Sequence, residues 1–242
     1  GCLVVLETSA WTARCKVSTK NLLKGGSHAD VDPNYVNASK RLIDGKSLAA
    51  IESIRSEARQ WLYARSLPFP VQGAVFVPTE QVEEIDAKLS EYAQRYQEAV
   101  AAFVEEYPVL RQAARFQLGS LYSDLDYPSK VGNRFAFDWR FLSLSPASEA
   151  QLVSPALVAK ERAKFQRLMS EAAEAAVTEL RTRFAVCVDH MVDRLIGEDG
   201  KPKIFRDSLV ENMKDFLKGF EALNICDDSA LADLVSQARS AF

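Results

Sequence analysis

Seven apolar residues, Val82, Ile85, Leu89, Tyr92, Tyr96, Ala99 and Phe103, recur at alternating intervals of three and four, the seam of a coiled coil. A stripe this narrow cannot be covered by its own helix, so the chain must place something against it. Thr79 precedes the seam as an N-cap, and Glu80, Glu83, Glu84 and Asp86 complement the helix dipole. Leu110, Ala114, Leu118 and Leu121 carry an apolar face beyond Pro108, which predicts a bent helix over residues 79–124 with its kink near the proline. A second long helix opens at Ser154-Pro155 and runs through Phe165, Leu168, Ala172, Leu180, Cys187 and Met191 to Gly197. At 1.5 Å per residue it is about 63 Å long. Two rods of similar length, each with an apolar stripe, predict a long antiparallel hairpin.

The remaining segments are shorter. Residues 3–17 are rich in β-branched and apolar side chains and read as one extended strand or a bent pair. Turn residues fill 24–38, followed by a short helical piece near 36–42. Ser47 caps a helix carrying Leu48, Ile51, Ile54, Ala58, Trp61 and Leu62, which ends before Leu67-Pro68-Phe69-Pro70. Residues 71–77 form a short strand stopped by Pro78, and residues 135–144 form an aromatic-rich strand that needs a partner, for which 3–17 is the longest β-prone stretch. After a turn at 197–202, Ser208-Leu209-Val210-Glu211 supplies a capping box, and a last helix starts near Asp228 with Leu231, Leu234, Val235 and Ala238 inward. The expected fold is mainly α with minor β: a coiled-coil-like helical hairpin, a small antiparallel β element and C-terminal helices. It is read as a single elongated domain, with an N-terminal strand, loop and helix in 1–70, the hairpin in 79–196 with its β-containing link near 134–145, and C-terminal helices in 204–242.

Charge narrows the function. The 242 residues carry 30 basic and 33 acidic side chains, net −3, so the global footprint of a nucleic-acid binder or of a polybasic membrane-surface protein is missing. The balance is uneven along the chain, net +4 over residues 1–66 and net −5 over 67–150, which favours contacts between copies or with a partner. Lys160, Arg162, Lys164 and Arg167 form a local basic cluster at the start of the second long helix, the candidate interaction residues. Glu161 among them favours a solvated or salt-bridged face over a phosphate site.

Residues suited to catalysis are sparse. There are two histidines, His28 and His190. Cys187 and His190 stand one helical turn apart, near enough to be two zinc ligands, but a structural site takes four and no second pair at ligand spacing exists. As a nucleophile pair they lack an orienting acid. Glu83/Glu84, Glu105/Glu106 and Glu171/Glu174 do not carry the Glu-x-x-His pattern of a helical di-metal site. Gly25-Gly26 is not a phosphate loop. No catalytic, cofactor-binding or metal residue is nominated. The four cysteines are too scattered for a disulfide framework and read as reduced thiols. With no apolar run of membrane-spanning length, the reading is a cytoplasmic protein with no membrane contact; Gly1 in place of Met reads as a cloning scar or a trimmed start.

Trp11-Thr12-Ala13-Arg14 after an apolar strand, Leu42-Ile43-Asp44, the stretch Gly73-Ala74-Val75-Phe76-Val77-Pro78, Phe103-Val104-Glu105-Glu106-Tyr107 and Tyr127-Pro128-Ser129 before Phe135 together resemble one family. It is a family of uncharacterised bacterial and phage proteins, a domain of unknown function, whose genes often neighbour MoxR-type AAA+ ATPases and von Willebrand factor A-type proteins. The likeness spans roughly residues 3–234; Pro108 departs from the family's pattern. Its motifs are packing and turn residues and name no catalyst. What the resemblance implies is association: an adaptor, substrate or assembly subunit of such an ATPase. The expected function is therefore a non-enzymatic interaction or assembly protein, self-associating or bound to an AAA+ ATPase. The alternative is a nucleic-acid-associated phage or mobile-element factor using the local basic surface.

Overall fold

The computed structural model describes residues 1–19, 31–146, 154–196 and 207–241. It is mainly helical with a small antiparallel sheet. Its elements are β1 (Cys2–Ser9), β2 (Arg14–Val17), β3 (Ala38–Arg41), α1 (Ala49–Ala64), β4 (Leu67–Pro68), β5 (Ala74–Val77), α2 (Val82–Leu118), β6 (Ala136–Leu142), α3 (Pro155–Ile196), α4 (Asp207–Leu223) and α5 (Ser229–Ala241). Among the described residues no helix is long and apolar enough to cross a membrane. The loop around Gly25-Gly26 and His28, the turn at 197–202 and most of the 208–211 capping box lie outside the residues or side chains described.

Two strand sets form. One sheet has the order β4-β5-β1-β6, with β1 antiparallel to β5 in the register Cys2↔Val77 to Val5↔Ala74. The strand at 135–144 thus finds the neighbour its sequence demands. The other set is the antiparallel pair β2 and β3, Arg14↔Arg41 to Val17↔Ala38. Residues 3–17 are the bent pair: Ala13, between β1 and β2, has φ +50° and accepts from Leu42 N at 2.8 Å.

Several local readings are corrected. Residues 38–41 are strand β3 where the sequence reads helix, because β2, about twenty residues earlier in the chain, satisfies their backbone groups. Leu67-Pro68, read as a break, is the edge strand β4, antiparallel to β5. Asp44, not Ser47, caps the first helical turn: its carboxylate accepts from Lys46 N at 3.1 Å, and a 3₁₀ turn over Gly45–Leu48 leads into α1. Thr79–Gln81 is likewise a 3₁₀ turn, so α2 starts at Val82. The helix runs through Pro108 but stops at Leu118, short of Asp124, because Gly119 takes φ +50° and leads into separate 3₁₀ turns. The second long helix matches its prediction, with Pro155 as first helical residue and Val158 N bonded to Ser154 O at 3.0 Å.

The chain divides into two compact units: one of Gly1–Leu6, Arg59–Lys88 and Trp139–Phe242, the other of Glu7–Ala58 and Leu89–Asp138. In the first, α3 packs on α4 and β4, and its core gathers Leu67, Leu180, Met213, Leu217, Phe220 and Val235. Leu231 and Val235 of α5 point inward as predicted, whereas Leu234 is half exposed. Arg183 on α3 ties this unit together: its guanidinium donates to Ala64 O (3.2 Å) and Ser66 O (3.1 Å), carbonyls left open where α1 ends, and to Glu179 (2.7 Å).

In the second unit the seam residues Leu89, Tyr92, Tyr96 and Phe103 are buried. The cover that periodicity assigns to a facing helix comes, within this unit, from rings outside α2. Trp11 lies 6.3 Å from Phe103, Phe135 lies 5.5 Å from Phe103, and Phe137 lies 5.5 Å from Tyr96. Such edge and tilted ring pairs add about 0.5–1.5 kcal/mol each beyond burial. Tyr96 also donates its hydroxyl to Ser9 O.

Candidate functional site

A dense side-chain network lies at one corner of the second unit, built on the last turns of α2 and the 3₁₀ turns that follow. Arg111 on α2 donates to Asp124 at 2.7 Å and to the Tyr122 hydroxyl at 3.2 Å, and Tyr122 donates to the same carboxylate at 2.7 Å. The triangle closes because Gly119 turns the chain back toward α2. Tyr122 stacks on Tyr127 with centroids 5.1 Å apart; Arg111 lies over Tyr127 at 5.6 Å and Arg115 over Tyr122 at 5.7 Å. Tyr107 donates to Pro128 O at 3.1 Å, and buried Tyr127 donates to Leu42 O at 2.8 Å. Behind it, Asp126 pairs with Lys40 at 2.6 Å and accepts from the Cys15 thiol at 3.2 Å.

These contacts set the protonation states. The Tyr122 hydroxyl and then the Arg111 guanidinium hold Asp124 below the usual carboxylate range; Lys40 does the same for Asp126. Burial pushes the Tyr127 hydroxyl up to about 12 and raises that of Tyr107. The hydrogen bond to Asp126 raises the Cys15 thiol, which keeps it protonated and unreactive. Asp124 and Asp126 are thus favoured as carboxylates, and Tyr107, Tyr127 and Cys15 as protonated groups.

The corner is open. Tyr107, Pro108, Arg111, Gln112, Arg115, Tyr122, Asp124, Pro128 and Ser129 line a cavity of about 430 Å³. Beside it stand two large apolar side chains turned to water: Phe116, next to Arg115, is 88% exposed, and Leu125, next to Asp124, is 97% exposed. Tyr107, Tyr127 and Pro128 belong to the segments quoted above for the family resemblance, as do Trp11, Leu42 and Phe103, and all meet within this unit. Sequence reading took them for packing and turn residues, which most are, and nothing in their spacing shows that they converge.

A family described as "Protein of unknown function (DUF3150)" matches residues 1–224. The chain belongs to that family. No curated protein and no solved structure matches it. In this DUF3150 protein the residues singled out from sequence are placed as follows. Lys160, Arg162, Lys164 and Arg167 are all exposed on α3. At 100° per residue, Lys160, Lys164 and Arg167 share one face while Arg162 projects from the opposite one, and Lys164 pairs with Glu161 at 2.5 Å. The four are thus not one patch. Cys187 is half-buried against the α3–α4 core, where burial pushes its thiol up, away from nucleophile chemistry; His190 is exposed. The glutamates of the three pairs are all exposed, and all four cysteines are free thiols.

Proposed function

We infer that this DUF3150 protein is a non-enzymatic interaction or assembly protein that grips a partner at the Tyr–Arg corner of its second unit. The observation that carries the reading is the exposure of Phe116 and Leu125, each next in sequence to a residue that lines an aromatic and guanidinium-walled cavity. Tyr and Arg framing exposed apolar anchors is the composition of interface hot spots, where a few side chains carry most of the affinity. Arg111 is neutralised by Asp124, and Arg115 leaves the rim mildly cationic, which suits an apolar segment bearing a carboxylate. The resemblance noted in the sequence makes a MoxR-type AAA+ ATPase the partner to test first, with self-association second.

The test pairs light scattering after size exclusion with binding to a purified MoxR-type ATPase, for the native chain and for Phe116→Ser/Leu125→Ser. Both positions face water, so the variant should fold with an unchanged melting temperature. The expected result is a complex or oligomer that weakens at least tenfold in the variant. A native chain that stays a monomer and ignores the ATPase sinks the reading.

A second reading, a nucleic-acid-associated factor, is favoured only by the shared exposed face of Lys160, Lys164 and Arg167. Salt-dependent gel shifts of single- and double-stranded DNA, lost on charge reversal of those three residues, would support it.

A further inference from the structure

The strand pair β2 and β3 is a two-stranded ribbon whose side chains alternate between two faces. Cys15, Val17, Ala38 and Lys40 are half-buried on one face, and Arg14, Lys16, Ser39 and Arg41 are exposed on the other. The register sets Arg14 directly opposite Arg41 and Lys16 opposite Ser39. Like charges so placed, on backbones about 5 Å apart, destabilise a ribbon. Among the described residues no carboxylate pairs with any of the three cations. Relief has to come from an anion that this face does not itself supply.

The same unit carries the opposite charge on its helix. Glu98 and Glu105 on α2 each lie two residues beyond a buried seam residue, Tyr96 and Phe103, about 200° round the helix from it, and both face water. Seven residues apart, they share one face at a spacing of about 10 Å. The neighbouring Arg95 is spent on Glu57 at 3.0 Å, and neither Glu98 nor Glu105 has a cation partner among the described residues. Over residues 7–58 and 89–138 the second unit has 13 basic and 13 acidic side chains, so a polyanion such as nucleic acid meets no net attraction there. A cationic face and an anionic face on one electroneutral body, both exposed, complement each other between copies.

We propose that a second copy of this chain docks the Glu98 and Glu105 face of its α2 on the Arg14, Lys16 and Arg41 face of the β2–β3 ribbon, a head-to-tail contact that can repeat from copy to copy. Exposed ion pairs are individually weak, so a single contact is weak and gains by repetition. It uses none of the Tyr–Arg corner, so either reading can fail without the other.

The test is sedimentation of the full chain at low and at ordinary salt, for the native protein and two charge-reversed variants, Arg14→Glu/Lys16→Glu/Arg41→Glu and Glu98→Lys/Glu105→Lys. All five positions are exposed, so both variants should melt near the native temperature. The native chain is expected to self-associate at low salt, and about tenfold or more weakly when the screening length falls from about 30 to about 8 Å. Each variant by itself should associate about tenfold or more weakly than the native chain at low salt. An equal mixture of the two should regain the native strength, because each then meets a face of opposite charge, and that recovery also shows both to be folded. Phe116→Ser/Leu125→Ser should associate as the native chain does. Should a reversed variant melt early, the milder Arg14→Gln/Arg41→Gln and Glu98→Gln/Glu105→Gln decide instead, each expected to weaken association about threefold. A native chain that is monomeric at low salt, charge variants that associate as the native does, a mixture of folded variants that stays apart, or association lost in Phe116→Ser/Leu125→Ser overturns the proposal. So does a single-stranded oligonucleotide that binds the ribbon more tightly than a second copy does.

Discussion

At the scale of single residues, Tyr127 shows how one side chain can serve both packing and polarity. Its ring is buried against Tyr122 and the Arg111 guanidinium, and its hydroxyl reaches Leu42 O at 2.8 Å. Tyr127→Phe keeps the ring and strands the carbonyl, which should cost about 1 kcal/mol in denaturant unfolding with no change in slope. A shift of under a few tenths would mean that water takes over that carbonyl. The sequence flagged Tyr127-Pro128-Ser129 as a turn, which it is; that the turn is also anchored to residue 42 is a contact across 85 positions, beyond any local pattern.

Among elements, the clearest dependence is that of α1 on α3. Arg183 fills two of the open carbonyls at the α1 end, and Glu179 one turn earlier fixes its guanidinium. Arg183→Met should therefore cost about 1–2 kcal/mol, more than a surface ion pair is worth, while Glu179→Gln, which keeps an acceptor in place, should cost well under 1. Comparing the two by thermal unfolding separates capping from simple charge pairing. Strand β3 makes the complementary point. Its four residues, Ala38–Arg41, carry no alternation strong enough to be read as a strand, and their pairing with β2 decides their conformation. Elements whose hydrogen bonds close within themselves, such as α3, were legible; β3 and β4, short segments completed only by the strand beside them, were not.

For the molecule as a whole, acid is the most telling perturbation. Asp124, Asp126, Asp228 and Glu57 are all held below their ordinary range, by Tyr122 and Arg111, by Lys40, by Arg181, and by Ser53 and Arg95 respectively. A carboxylate depressed in the folded state contributes stability that is fully present above its unfolded value, about pH 4, and is lost as pH falls through the folded value. Melting temperature should thus hold steady from pH 7 to about 5 and decline below about 4. Asp126→Asn should start lower and lose less over that window. A native profile flat to pH 2.5 would show that these pairs do not stabilise the fold.

The order of residues alone specified that two long helices form and where α3 starts, because caps, prolines and three-four periodicity act within a few residues along the chain; the 3₁₀ turns on either side of α2 set its start and end. It determined that the seam from Leu89 to Phe103 would be buried, and that 135–144 would need a strand beside it. Only the tertiary structure decided what covers each face: aromatic rings from β6 and from the segments flanking it and β2 against the second unit's share of α2, α4 and β4 against α3, and β2 against β3. The same holds for the candidate site. A hydrophobic stripe specifies that water must be excluded but not by whom, and the anchoring of Tyr127 to Leu42 O depends on a neighbour that arrives from far along the chain.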